Sequence, residues 1–172
     1  MRTLAPLLVL ALALPCSARV SDNPDLLERQ TLEAAILLVG PGIVKLPIEL
    51  TPSAPPGATP GVEGWTSFRA DGQGERIFVY TGSPVFRCAE WTLQGPGSHE
   101  CVLRLASVIV HEAWHFTNGR EELGAYGAQM LFLMANHASN AQIASVQIAR
   151  NRVAASARTA AKTAGTSDSR PR

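Results

Sequence analysis

The stretch from Cys101 to Thr117, CVLRLASVIVHEAWHFT, decides how the rest of the chain is read, and His111-Glu112-Ala113-Trp114-His115 within it carries the chemistry. It holds no Pro and no Gly, and Val102, Leu105, Ala106, Ile109 and Ala113 recur at helical spacing. Leu103, Val108, Val110 and Trp114 fill much of the remaining surface, so the predicted helix is apolar nearly all round, the pattern of a buried helix. On it His111 and His115 stand one turn apart on the same face, where two imidazoles can grip a single metal ion. Glu112 beside them is placed to reach water at that metal, which makes the segment an H-E-x-x-H arrangement. A buried polar group without a partner costs about 1–3 kcal/mol, so these imidazoles require either a metal or other polar core groups.

Asn118-Gly119 stops the helix, Gly being the usual residue just past a helix end. A second helix begins at once, with Glu121 and Glu122 in its first turn, where carboxylates suit the positive end of the helix dipole. Two helices joined by so short a link lie against each other. A carboxylate at the start of the second can therefore return towards the His pair and act as a third protein ligand. A catalytic zinc takes three protein ligands and keeps a further position for water.

HEAWHF followed by Glu122-Leu123-Gly124-Ala125-Tyr126 resembles the gluzincin branch of the zincin metallopeptidases. There the first two ligands come from H-E-x-x-H and the third is a Glu on the next helix, often in an E-x-x-A-(D/N/Y) context. Val108-Ile109-Val110 and Phe116 match the uncharged flanks of that pattern. The spacing from His115 to Glu122 is shorter than in thermolysin-type enzymes and closer to small bacterial peptidase domains. The resemblance covers about thirty residues. It implies Zn2+ held by His111, His115 and Glu122, with Glu112 as general base; Glu121 is the rival third ligand. It also implies an α+β, zincin-like fold. In that fold a small antiparallel or mixed sheet packs on the buried metal helix and the helix after it, with an N-terminal helix in addition. An edge strand, either Arg76–Thr81 or Ile43–Leu50, would take the substrate as a further strand.

Composition bounds the remainder. The chain has 172 residues, 46% hydrophobic and 17% charged, with formal net charge +1, which describes one globular domain rather than a disordered chain. Residues 1–18 read as a signal peptide: Arg2 supplies the positive start, Leu4–Leu14 the apolar stretch and Cys16-Ser17-Ala18 a small-residue cleavage site. That apolar stretch is too short to span a bilayer. Acylation at Cys16 is the alternative to cleavage after Ala18, although Pro15 departs from the lipobox pattern; either route predicts export, to the periplasm or the exterior. Cys88 and Cys101 then remain, and in an exported chain they read as one disulfide, expected to contribute about 3 kcal/mol through loop closure. A thiolate on the metal is the alternative role.

Residues 19–149 form the expected catalytic domain. Ser21-Asp22-Asn23-Pro24 opens a helix from about Pro24 to Val39, which Gly40-Pro41-Gly42 ends. Ile43–Leu50 reads as extended, with Pro47 placing it at a sheet edge. Thr51–Gly64, rich in Pro and Gly, reads as a long loop that could overhang the site. RIFVYT, Arg76–Thr81, is the strongest strand, and Val85–Cys88 reads as its continuation or partner. Ser139 or Asn140 could cap a last helix. Residues 150–172 hold six basic side chains against Asp168 alone and read as a disordered, solvated tail, able to touch an anionic surface polymer. No transmembrane helix and no basic-aromatic surface suited to nucleic acid is apparent.

The expected chemistry is hydrolysis of a peptide or protein substrate. The metal polarises the carbonyl, and Glu112 takes a proton from the attacking water and delivers it to the leaving amine. Tyr126, one turn after Glu122, is the candidate donor to the oxyanion, against plain core packing for the same residue; Tyr80 and His99 stand behind it. Gln129 could support a ligand or a backbone group. His137 lies too far along a continuous helix to share the metal, and His99 falls in a turn. Trp65, Trp91 and Trp114 read as packing residues. Two other readings remain: a catalytically silent zinc-binding or interaction protein that retains the site, and a purely structural zinc site, which would favour four closed protein ligands.

Overall fold

A computed structural model of the chain describes residues 25–41, 46–58, 60–95 and 98–166. The expected signal peptide, the Ser21–Pro24 helix opening, Ile43–Lys45 and the last six residues of the expected tail lie outside the described residues. The class is α+β: α1 (Leu26–Val39), β1 (Ile48–Thr51), β2 (Gly64–Phe68), β3 (Gly74–Tyr80), α2 (Pro84–Leu93), α3 (His99–Asn118), α4 (Glu122–Ala135) and α5 (Asn140–Thr166).

The three strands form one mixed sheet in the order β1-β3-β2, with β1 parallel and β2 antiparallel to β3. Alternation decides which face is buried. Ile48 and Leu50 lie opposite Ile77 and Val79, and all four are buried in the main core with Leu105, Ala106 and Ile109 of α3. The opposite face carries Trp65 stacked on Phe78, centroids 5.1 Å apart, and the Arg76–Glu49 pair at 2.6 Å. The metal-motif helix α3 is the centre of the molecule, packed on the sheet, α1, α2 and α4. A smaller cluster of Leu103, Leu133 and Val146 joins α3, α4 and α5.

Several sequence expectations are corrected. Val85–Cys88 is helical, not extended. Ser83 accepts a hydrogen bond from Phe86 N and Pro84 opens α2, so capping chemistry overrides the strand-like composition of Val85 and Phe86. The Cys88–Cys101 disulfide, with Cα atoms 5.4 Å apart, therefore ties α2 rather than a strand to the first turn of α3. His99 is the first residue of α3, after the Ser98 cap, not part of a turn. Trp91 does not pack inside; it is 60% exposed. β1 is an edge strand as Pro47 suggested, but β3 is central, so it cannot be the edge that receives a further strand. β2 was not foreseen at all. The last helix, α5, continues to Thr166, well into the basic segment that composition suggested was a loose tail.

Gly124 sets how closely α4 lies on α3. A Cβ there would run into the Trp114 indole and lie 2.7 Å from the Glu121 carboxylate. Gly124→Ala should gain about 1 kcal/mol in helix propensity, but displacing a rigid indole and a helix cap costs about 1–3 kcal/mol. The clash wins, so a thermal melt should show a lower midpoint; an unchanged or raised midpoint would mean that α4 has room to shift.

Candidate metal centre

His111 and His115 come from the same buried face of α3 and are 8% and 5% exposed. Their Nε2 atoms are 3.3 Å apart, with the rings edge to face. His115 Nδ1 lies 2.8 Å from the carbonyl of Gly119, the residue that ends α3. A carbonyl only accepts, so the proton sits on Nδ1 and the Nε2 lone pair of the neutral ring faces the centre. His111 Nδ1 is buried and has no hydrogen-bond partner among the described residues.

The link Gly119–Glu121 turns the chain back, and the two neighbouring glutamates separate in role. Glu121 is the N-cap of α4, its carboxylate accepting from Leu123 N and Gly124 N at 2.7 Å each. Glu122, one residue later, directs its carboxylate oxygens to His111 Nε2 at 3.3 Å and His115 Nε2 at 3.5 Å. The pairing with His111 and then His115 outweighs desolvation and holds the Glu122 carboxyl down to about 2. Burial alone would lower the His115 imidazole; Glu122, the Gly119 carbonyl and Glu112 outweigh it, and the imidazole is raised above its ordinary value.

These donors fit a small divalent cation. Two imidazole nitrogens and a carboxylate are the ligand types of a borderline-soft ion such as zinc. A tetrahedral centre about 2.0–2.1 Å from each donor requires donors about 3.3–3.4 Å apart. The two Nε2 atoms, 3.3 Å apart, sit at that edge length. Glu122 brings Oε2 to 3.3 Å from His111 and Oε1 to 3.5 Å from His115, and one ligand atom from each of the three residues lies within 4.8 Å of the other two. Among the described residues this is the group of His, Cys, Asp and Glu side chains able to hold a metal ion.

Glu112 follows His111 on α3 and is 6% exposed. Burial is the main cause that raises its carboxyl above the usual carboxylate range, against the pull of His111, Thr66 and His115. Thr66 of β2 places its hydroxyl 2.9 Å from both the Glu112 carbonyl and Oε2, and its single proton serves one of them at a time. The strand reaches this position because of Gly64, whose Cβ would lie 2.9 Å from the Phe78 carbonyl, 3.3 Å from Val108 and 3.4 Å from Glu112. Thr66 and Gly64 were missed in the sequence. The only trace was the alternation G-W-T-S-F after the Pro-rich loop.

The centre lies on the wall of a cavity of about 830 Å3 between β2, α3, the start of α4 and one face of α5. Tyr126 lines it, its ring 4.6 Å from that of His111. Its hydroxyl has no hydrogen-bond partner among the described residues, and burial followed by Glu122 raises its pKa, so it remains a donor at neutral pH. Tyr80 and His99 are not on the cavity wall. Gln129 lines the cavity but donates to Ser107 Oγ at 3.1 Å, joining α4 to α3 rather than supporting a ligand. His137 lies beyond the end of α4, at φ 55°. Trp65 both stacks on Phe78 and lines the cavity.

Protons and metal compete for these imidazoles, which gives a pH dependence of known sign. A raised His115 pKa means that metal is displaced from a higher pH than for an unshifted imidazole. Zinc affinity should fall about tenfold per pH unit for a protonated ligand imidazole, starting above the ordinary imidazole value. Calorimetric titration in steps of pH checks this, and a flat affinity down to about pH 5 would remove His115 from the ligand set. Searches with the whole chain find no matching family model, no matching curated protein and no matching solved structure.

Proposed function

We propose that the protein is a small zinc metallopeptidase of zincin-like architecture, exported to the periplasm or the exterior. One observation carries the reading. Three donors from two adjoining helices converge to within 4.8 Å of one another, and a fourth side chain, the buried Glu112 carboxylate, follows His111 on the same helix. The Cys88–Cys101 disulfide is compatible with the oxidising compartment. Among the described residues no helix is long and apolar enough to cross a membrane.

Zinc bound by His111, His115 and Glu122 would supply a Lewis acid that polarises the scissile carbonyl and makes nearby water a stronger acid. Glu112 accepts a proton from the water whose oxygen joins the carbonyl carbon, and returns it to the amine nitrogen as the C–N bond breaks. Its raised pKa helps the return step, because burial makes the carboxyl hold more firmly the proton that it accepts and then delivers. The Thr66 hydroxyl keeps the carboxylate aligned. Tyr126 offers its unspent hydroxyl to the oxygen that gains negative charge. β2, an edge strand on the cavity wall, is suited to take an extended peptide by strand addition. Of the two segments favoured from the sequence, the one holding β1 is also an edge, whereas β3 is central.

The test joins metal analysis of the purified chain to a cleavage profile on an unbiased peptide library. Stoichiometric zinc with cleavage that stops on chelation is the expected result. Zinc without cleavage anywhere in the library would leave the silent zinc-binding reading in its place.

A further inference from the structure

The cavity wall carries three carboxylates and three guanidinium groups, but they are not paired one to one. Glu63 is matched by Arg104, Nη2 to Oε2 at 3.2 Å. Glu122 faces the two imidazoles, and Glu112 is held by Thr66 beside them. Arg120 and Arg152 line the same cavity and have no carboxylate within ion-pair distance among the described residues. A divalent cation held at the centre would add further positive charge, and the cavity would then favour an anion.

Both unspent guanidinium groups lie on its wall, on chain segments that pass the start of α4. Arg120 sits in the link between α3 and α4, fixed on one side by the Gly119 carbonyl at His115 Nδ1 and on the other by the Glu121 cap. Its guanidinium lies 4.7 Å from the centroid of Phe68, the last residue of β2, and the Phe68 ring is 6.5 Å from that of His115. α5 returns beside α4 so that Arg150 Nε reaches the Leu123 carbonyl at 3.5 Å, which brings the next cavity-facing residues, Arg152 and Val153, to the start of α4. Arg104 and Glu63 mark the opposite end, next to Gly64.

Strand addition gives this polarity a meaning. β2 runs from Gly64, against Val108, to Phe68, against His115. A peptide paired antiparallel to it, the slightly more stable ladder, would carry its amino-terminal side to the Phe68 end. Arg120 reaches the His115 ring through Phe68, by steps of 4.7 and 6.5 Å, a span on the order of two to three residues of extended chain at about 3.3 Å each.

We propose that Arg120 and Arg152 form a carboxylate-binding subsite, and that the substrate is a peptide with Asp or Glu two or three residues on the amino-terminal side of the cleaved bond. This deepens the peptidase reading and rests on it. Guanidinium suits the task because it presents paired N–H donors to a carboxylate and stays charged at any working pH.

The experiment uses the full chain loaded with zinc and peptide pairs that differ only in Glu against Gln at each position around the cleaved bond. Glu at the second or third amino-terminal position should raise kcat/KM about tenfold or more, an advantage that shrinks as salt is raised. Arg120→Ala and Arg152→Ala, both at exposed side chains, should each move the Glu-to-Gln ratio towards one. In parallel, the Glu112→Gln chain with zinc is titrated with the same labelled peptides and binding is read by fluorescence anisotropy. Cleavage with no acid preference, a preference confined to the carboxy-terminal side, or a ratio unmoved in both variants would overturn the subsite and leave the peptidase reading intact. Acid-selective binding abolished in the arginine variants, with no cleavage by wild type, would keep the subsite and end the peptidase reading.

Discussion

Glu112→Gln is expected to retain stoichiometric zinc and lose cleavage by about 10^2–10^4-fold, the contribution of a positioned general base. The side chain keeps its volume, and the amide oxygen can still accept from the Thr66 hydroxyl, which lies 2.9 Å from Oε2. Folding should not suffer. The Glu112 carboxyl is raised mainly by burial, so the folded state disfavours its charged form. A group with a raised folded pKa contributes stability below its unfolded pKa and loses it as pH rises through the folded value. In the metal-free chain the charged form of Glu112 is therefore a cost that grows as pH rises, and a neutral Gln removes it. The thermal midpoint of metal-free Glu112→Gln should equal or exceed that of wild type at neutral pH. Cleavage retained within a few-fold of wild type would reject the general-base role.

The second large effect separates two adjacent carboxylates. Glu122→Ala should lower zinc affinity by more than the about 10–100-fold typical of losing a supporting group around a metal, since it removes a donor 3.3 Å from His111 Nε2. Glu121→Ala should leave zinc affinity within a few-fold and instead cost about 1 kcal/mol of stability, because its carboxylate caps Leu123 N and Gly124 N. Chelator competition reads the first quantity and thermal melting the second. A greater loss of zinc from Glu121→Ala than from Glu122→Ala would mean that the caps and the donors exchange places in solution. His111→Ala, by removing a buried donor on the other side of the centre, should abolish both zinc retention and cleavage.

Much of this was legible because it is short-range. One turn of helix places residue i+4 beside i whatever the surroundings, so the facing of His111 and His115 follows from their spacing and from the apolar run around them. Gly119 and the glutamates after it mark a helix end and a new start by backbone chemistry alone, and two cysteines in the body allow one pairing, which is observed. The same local reasoning failed where two signals competed. At Ser83-Pro84 the helix-opening signal defeated the strand-like residues that follow, and past residue 149 a run of good helix formers continued a helix where basic composition suggested a loose tail.

By itself, then, the sequence determined the two-imidazole face of α3, the short return into α4 and the disulfide, all matters of residues close in the chain or of a pairing with no rival. Tertiary structure alone decided which of Glu121 and Glu122 faces the imidazoles, because the choice turns on which carboxylate is consumed as a cap. It alone brought Thr66 to Glu112 across 46 positions of sequence and set Arg120 and Arg152 on one cavity wall. Those contacts arise from how closely a strand and three helices can approach, which depends on the side chains absent at Gly64 and Gly124 and has no period in the sequence to announce it.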